Sequence, residues 1–96
     1  MDEITFRAKL AALGCNDVYS AEWEPGKTNP EHTHDFEAHV LILDGEFTLT
    51  TPAGAVTYAP GQWCELAPGT PHFERAGPMG AKLLAGRIHP KTVTAA

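Results

Sequence analysis

Proline and glycine residues divide most of this chain into short segments, and this punctuation limits its fold more than any other feature. The chain has eight prolines and nine glycines. Most of them fall after residue 14, between runs rich in valine, leucine, threonine and aromatic side chains. Such residues mark turns between short strands. The pattern therefore predicts an antiparallel all-β fold, in which closure into a barrel or stacking into a sandwich covers the strand edges.

The predicted elements are one short helix and six strands within a single domain, because 96 residues support one core but not two. The first 14 residues predict a helix with one apolar face, which Gly14 can end. That face consists of Ile4, Phe6, Leu10 and Leu13. Strands are predicted at 18–23, 39–50, 55–58, 63–66, 72–75 and 81–88. The domain then consists of the helix at 1–14, the barrel at 18–89 and a tail at 90–96.

The run Val40-Leu41-Ile42-Leu43 is apolar on both faces of its predicted strand. Since successive side chains of a strand point to opposite faces, both faces of this strand need to be covered. The cover can come from a second sheet or from a partner subunit. The second alternative favours a homodimer.

Charge and cysteine content narrow the expected partners and location. The formal net charge is -5 and no run of Lys or Arg occurs, so nucleic acid is not an expected partner. No apolar stretch approaches the roughly 20 residues that span a bilayer, and the first residues lack the basic and then apolar order of a signal peptide. Cys15 and Cys64 have no metal-type spacing, which predicts free thiols. We therefore expect a cytoplasmic protein without membrane association.

Three of the five histidines lie in contexts that indicate metal coordination. His32 and His34 are two residues apart on an extended segment, so their side chains point to the same side. His72 follows Pro71 in another short segment and can deliver a third nitrogen from a neighbouring strand. Imidazole binds Zn, Fe, Ni, Cu and Mn, and three protein ligands leave positions for water or substrate.

The residues around this histidine pair resemble the first motif of the cupin superfamily. That motif runs Gly, five residues, His-x-His, three or four residues, Glu, six residues, Gly. Gly26 precedes His32 and His34 at the interval of the motif. Its closing glycine matches Gly45.

A second motif of the same superfamily matches around His72. It runs Gly, five residues, Pro-x-Gly, two residues, His, three residues, Asn. Gly61, Gly69 and His72 fall at these intervals, while Ala67 replaces the proline and Ala76 the asparagine. The two motifs together run from residue 26 to residue 72, about half of the chain.

The resemblance departs from the family at the acidic residue, because the chain has Ala38 where glutamate is expected. If a bulge follows the histidine pair, Glu37 can turn inward and complete a site of three histidines and one carboxylate. If the longer spacing holds, His39 takes the position and the site has four histidines. A site with no fourth protein ligand is the third alternative. Glu37 is slightly preferred because a carboxylate offsets metal charge. It can equally be a solvated residue, or one that contacts a metal-binding side chain without binding the metal itself.

The resemblance implies a double-stranded β-helix, or jelly-roll barrel, far more than it implies a function. It implies one divalent transition metal ion (Fe, Mn, Ni, Cu or Zn) and a small-molecule ligand or substrate. The first hypothesis is a metal-dependent enzyme that acts on a small oxygen-bearing organic compound, with dioxygenase-like cleavage as the leading reaction. The alternative is a non-catalytic module that binds or senses a small ligand. A structural barrel whose histidines bind nothing is the least favoured.

Glu74 lies two residues after His72 and can share its face. It can act as a base beside the metal, but a charge at the rim of the barrel is the preferred interpretation.

Overall fold

The computed structural model describes residues 1–90, which form one helix and six strands. They are α1 (Glu3–Ala12), β1 (Asp17–Trp23), β2 (Thr28–His32), β3 (Glu37–Thr51), β4 (Gly54–Tyr58), β5 (Trp63–Leu66) and β6 (His72–Ile88). The predicted all-β fold with one short helix is confirmed. Within this part of the chain, no helix is both long enough and apolar enough to cross a membrane. The predicted tail at 90–96 lies, from residue 91 onward, outside the described residues.

The two long strands, β3 and β6, each take part in two layers of sheet, and all the pairings are antiparallel. The first half of β3 pairs with β5 and with the second half of β6, which also pairs with β1. The second half of β3 pairs with β4 and with the first half of β6, which also pairs with β2. The main core contains residues of both layers, so the layers face each other as in a jelly roll.

Glycines allow β3 and β6 to bend from one layer into the other. The register between the two strands shifts at two places close to the bend: between Ile42 and Asp44, and between Gly45 and Phe47. Gly45 and Gly80 have φ angles of 76° and 81°, which side chains with a Cβ rarely adopt. A Cβ on Gly45 would also overlap the carbonyl oxygen of Gly80. The closing glycine of the first motif therefore lies at the corner of the fold.

Helix α1 covers the outer face of the layer that contains the first half of β3. Phe6 and Leu10 are buried and pack with Leu41 of that strand. The prediction of a four-residue apolar face is wrong at both ends, since Ile4 is 83% exposed and Leu13 is 47% exposed. Only the middle of the helix rests on the sheet.

The helix also explains why the run from 40 to 43 is apolar on both faces. Val40 lines the interior of the barrel. Leu41 and Leu43 pack on the other face, in the cluster that includes Phe6 of the helix. Because a helix of the same chain supplies the cover, this run no longer argues for a partner subunit. The homodimer stays a prediction.

Two strands differ from the sequence-based expectation. The strand β2 contains Pro30 and two charged or amide residues in place of an apolar alternation, so its pattern gave no strand signal. The strands predicted separately at 72–75 and 81–88 are one strand, β6, which runs continuously from 72 to 88 and includes Gly77 and Pro78. Pro78 has no cross-strand partner there, so its missing N–H costs no ladder hydrogen bond.

Candidate metal centre

His32, His34 and His72 form a cluster in the space between the two layers. Their ligand atoms all lie within 4.8 Å of one another. The ring centroids are 4.2 Å apart for His32 and His72, 4.6 Å for His34 and His72, and 4.8 Å for His32 and His34. His32 ends β2 and pairs in register with His72, which begins β6. The motif spacing predicted this grouping, whereas metal binding by it stays a proposal.

Backbone carbonyl groups orient two of the three rings. The Nδ1 of His32 lies 2.6 Å from the carbonyl oxygen of Pro30, and the Nδ1 of His72 lies 2.9 Å from that of Thr70. A carbonyl oxygen only accepts, so Nδ1 donates in both pairs and Nε2 keeps its lone pair. The Nε2 of His72 is buried and has no hydrogen-bond partner among the described residues. A metal ion would satisfy such a lone pair.

His34 is positioned by an aromatic contact. Its ring stacks on that of Phe36, with centroids 4.4 Å apart and planes 12° from parallel. Partial burial lowers the pKa of His34, and repulsion from Arg87, and from His72 and His32 whenever they carry a proton, lowers it further. Neutral imidazole is the form that binds a metal ion. The lowered pKa therefore extends the pH range in which His34 can coordinate.

Glu74 is the carboxylate beside these histidines. Its Oε1 lies 3.3 Å from Nε2 of His32 and 3.7 Å from Nε2 of His72. The Nδ2 of Asn29 donates to the same oxygen over 3.4 Å. The side chain of Glu74 is only 15% exposed, so it lies inside the cavity and not at the rim as expected. The two-residue spacing from His72 was the sequence signal for this position.

Glu37 and His39 lie on the opposite face of β3, away from the three histidines. Their neighbours Ala38 and Val40 line the cavity, so the alternation of the strand turns Glu37 and His39 outward. The pairing of β3 with β6 is continuous through this stretch, and no bulge turns Glu37 inward. Outside, Nε2 of His39 lies 3.2 Å from Glu37, and its Nδ1 lies 3.5 Å from Glu65. At the inward position where the motif carries glutamate, this chain presents the methyl group of Ala38.

A cavity of about 130 Å³ adjoins the histidines and is lined by both layers. Its walls are largely apolar and include Trp23, Phe36, Phe47, Leu49 and Leu66. Cys64 also lines it, and burial raises the pKa of this thiol to about 12, with the charges of Glu74 and Glu65 as smaller causes. In the metal-free protein Cys64 is therefore a neutral thiol. An enclosed apolar space with a few polar groups suits a small molecule.

Known proteins resemble this chain in sequence pattern and in fold. The Cupin_2 family model, described as "Cupin domain", matches residues 19–84. Among curated proteins, none matches the chain significantly.

Among solved structures, a protein of unknown function from Rhizobium leguminosarum has a TM-score of 0.71 and 19% identity, over 76% of this chain and 69% of that one. A conserved protein of unknown function from Streptococcus pyogenes has a TM-score of 0.72 and 23% identity, over 78% of this chain and 65% of that one. The Cupin_2 domain of an XRE family transcriptional regulator from Enterobacter cloacae has a TM-score of 0.67 and 22% identity, over 77% of this chain and 81% of that one. At these identities the likeness concerns the fold.

Proposed function

The chain belongs to the cupin family, and on that premise we propose that His32, His34 and His72 hold one divalent transition metal ion. The observation that carries the proposal is the convergence of three imidazoles, two of which have Nδ1 engaged by a backbone carbonyl. Their Nε2 atoms are thereby left as ligands. The ion is Fe, Mn, Ni, Cu or Zn, since imidazole suits all five and cellular supply often decides among them.

Glu74 takes the place of Glu37 in the proposed site. The carboxylate of Glu74 is close to two of the Nε2 atoms, whereas that of Glu37 is on the other side of the sheet. A carboxylate at this position offsets the charge of the ion and orients what binds there. It is also the group of the cavity that can accept a proton from a bound molecule.

The proposed activity is that of a small metalloenzyme acting on an oxygen-bearing organic compound, with dioxygenase-like cleavage as the leading reaction. When bound, the ion would supply Lewis-acid polarisation of a substrate oxygen or, if it were iron, redox chemistry with O₂. The aromatic walls exclude water, and the size of the cavity limits the substrate to a small molecule. Glu74, held by Asn29, receives the proton that the substrate loses on binding.

A second candidate function is a module that binds a small ligand without turnover. The similar domain from Enterobacter cloacae is part of a transcriptional regulator, which favours this alternative. Both functions use the same cavity. Release of product from a candidate substrate by the metal-loaded protein would separate them. The cytoplasmic location stays a prediction in either case.

The metal proposal is tested by elemental analysis of protein purified without added metal and without affinity-tag nickel. We expect about one equivalent of a first-row ion in the natural protein and almost none in a variant with both His32→Ala and His34→Ala. His89→Ala is the matched control, because His89 contacts Asp17 at 2.7 Å and is not a member of the cluster. No metal after reconstitution, or a full equivalent in the double variant, would overturn the proposal.

A further inference from the structure

Arg87 lines the cavity near the end of β6, where it pairs in register with Ala38. Its Nη2 donates to the hydroxyl of Tyr19 over 3.1 Å. The central carbon of the guanidinium lies 4.7 Å from the ring centroid of Tyr19 and 4.9 Å from that of Phe36. Cation–π contacts with two aromatic rings hold the guanidinium in place.

These contacts are made with aromatic rings and a hydroxyl, none of which carries a negative charge. Among residues 1–90, no ion pair includes Arg87. Its Nε is buried and makes no hydrogen bond within the same part of the chain. The residue as a whole is half-buried, and a partly desolvated charge is stabilised by a partner of opposite charge. The planar donors of arginine match a carboxylate in particular.

Phe36 links this cation to the proposed metal centre. The ring of Phe36 contacts both the guanidinium of Arg87 and the ring of His34. Arg87 and Glu74 are the only Arg, Lys, Asp or Glu side chains among the described residues that line the cavity. With a divalent ion bound, the positive charges exceed the single carboxylate. The cavity then attracts an anionic molecule.

We propose that the ligand of this cavity is a small organic carboxylate, which Arg87 binds through the N–H groups of its guanidinium. At its other end the ligand carries an oxygen that reaches the proposed metal ion. Only this second contact rests on the proposed function, because the pairing with Arg87 needs no metal. The contacts with Tyr19 and Phe36 orient the guanidinium before the ligand arrives, which lowers the cost of ordering it.

The probes are malonate and succinate, compared with their neutral diamides, and binding is measured by NMR titration of zinc-loaded and of metal-free protein. We expect the dicarboxylates to bind at least about tenfold more tightly than the diamides. Arg87→Met should weaken dicarboxylate binding at least about tenfold, and Arg87→Lys by less, since it keeps the charge but not the fork. Arg75→Met is the matched control, because exposed Arg75 lies on the same strand, outside the cavity.

Three results would overturn the inference: equal binding of acids and diamides, equal affinities of the Arg87→Met and Arg75→Met variants, or no binding of either acid at millimolar concentration. If Arg87→Met fails to fold, the Nε–H resonance of Arg87 in the natural protein decides, since it must move when malonate is added. Failure of the metal proposal is distinguishable. In that case no ion is retained, but dicarboxylate binding to the metal-free protein still depends on Arg87.

Discussion

A buried histidine lies next to each face of β3, but only on the inner face do the ring nitrogens of several histidines come together. Inside, three imidazoles from two parts of the chain converge. Outside, His39 is alone, and Glu37 and Glu65 lie at its two different ring nitrogens. The two nitrogens of one imidazole point in divergent directions, so these carboxylates cannot share an ion with it. His39 is only 2% exposed, so the two faces differ in the convergence of ligand atoms and not in the burial of histidine.

On the outer face, Lys9, Glu37, His39 and Glu65 form a group of charged and polar side chains, called here the outer cluster. This outer cluster connects the helix to the sheet. The Nζ of Lys9, on α1, lies 2.8 Å from Oε1 of Glu65, and this hydrogen bond lowers the pKa of Glu65. The same ammonium group lies 3.2 Å from the ring centroid of Trp63. The charges of this cluster are thus paired within the chain, whereas Arg87 on the inner side has no such partner among residues 1–90. A charge already paired stabilises the fold, and an unpaired one can bind a ligand.

The largest effect is expected from Phe6→Ala, which tests whether the packing on the outer face of the sheet and the metal site on the inner face are independent. Phe6 is fully buried between the helix that carries it and the sheet, so its loss should lower the free energy of unfolding by about 3–5 kcal/mol. Metal content should stay unchanged in the folded fraction. Urea denaturation and elemental analysis measure the two quantities. Ile4→Ala is the control, since Ile4 is exposed and its loss should cost at most about 0.5 kcal/mol. Loss of metal from folded Phe6→Ala protein would show that the faces are not independent.

Replacing one carboxylate on each face of the sheet tests which of the two, Glu74 or Glu37, supports the metal ion together with the three histidines. Glu74→Gln should weaken metal affinity about 10- to 100-fold, as for other residues that support a metal site. Glu37→Gln should leave the affinity unchanged, because Glu37 faces away from the cavity. Competition with a chelator measures both. A larger loss for Glu37→Gln would contradict the ligand set proposed above.

A smaller effect is expected from acidification of the metal-free protein. The pKa of His34 in the folded protein is lower than its ordinary value of 6.5. Below about pH 6.5 the unfolded chain therefore takes up this proton more readily than the folded one. The stability present above that pH should be lost as the pH falls through the folded pKa. Urea denaturation across this range should give a steeper decline for the natural protein than for His34→Gln, and equal declines would contradict the assignment.

The smallest effect is expected on the outer face. Lys9→Met removes the ion pair with Glu65, which is largely exposed, and should cost no more than about 1 kcal/mol at neutral pH. Because the pKa of Glu65 is lowered in the folded protein, this contribution is present above its ordinary value of 4.5 and is lost as the pH falls through the folded pKa. Denaturation of both proteins at neutral and acidic pH measures the difference. A cost that persists in acid would point to packing on Trp63 instead.

The histidine cluster could be predicted from the sequence because motif spacing fixes it locally, on turns that glycine and proline define. The neighbouring carboxylate depends on which strands meet. Glu74 lies beside His32 only because β2 pairs with β6, and β2, with its Pro30, has no alternating pattern to reveal that pairing. The helix was predicted, but not the face of the sheet that it covers. Because the helix covers the outer face of β3, Ala38 and Val40 face the cavity, and the alternation of the strand turns Glu37 outward.

One strand spans the whole of the proposed binding site. His72 and Glu74 precede the bend at Gly80 in β6, and Arg87 follows it. Because all three residues lie on this one strand, its backbone sets the distance between the metal end of the site, at His72 and Glu74, and the guanidinium of Arg87. A Cβ at Gly80 would press against the carbonyl oxygen of Trp23. Substitution there would change this separation, and with it the length of molecule that can reach both ends.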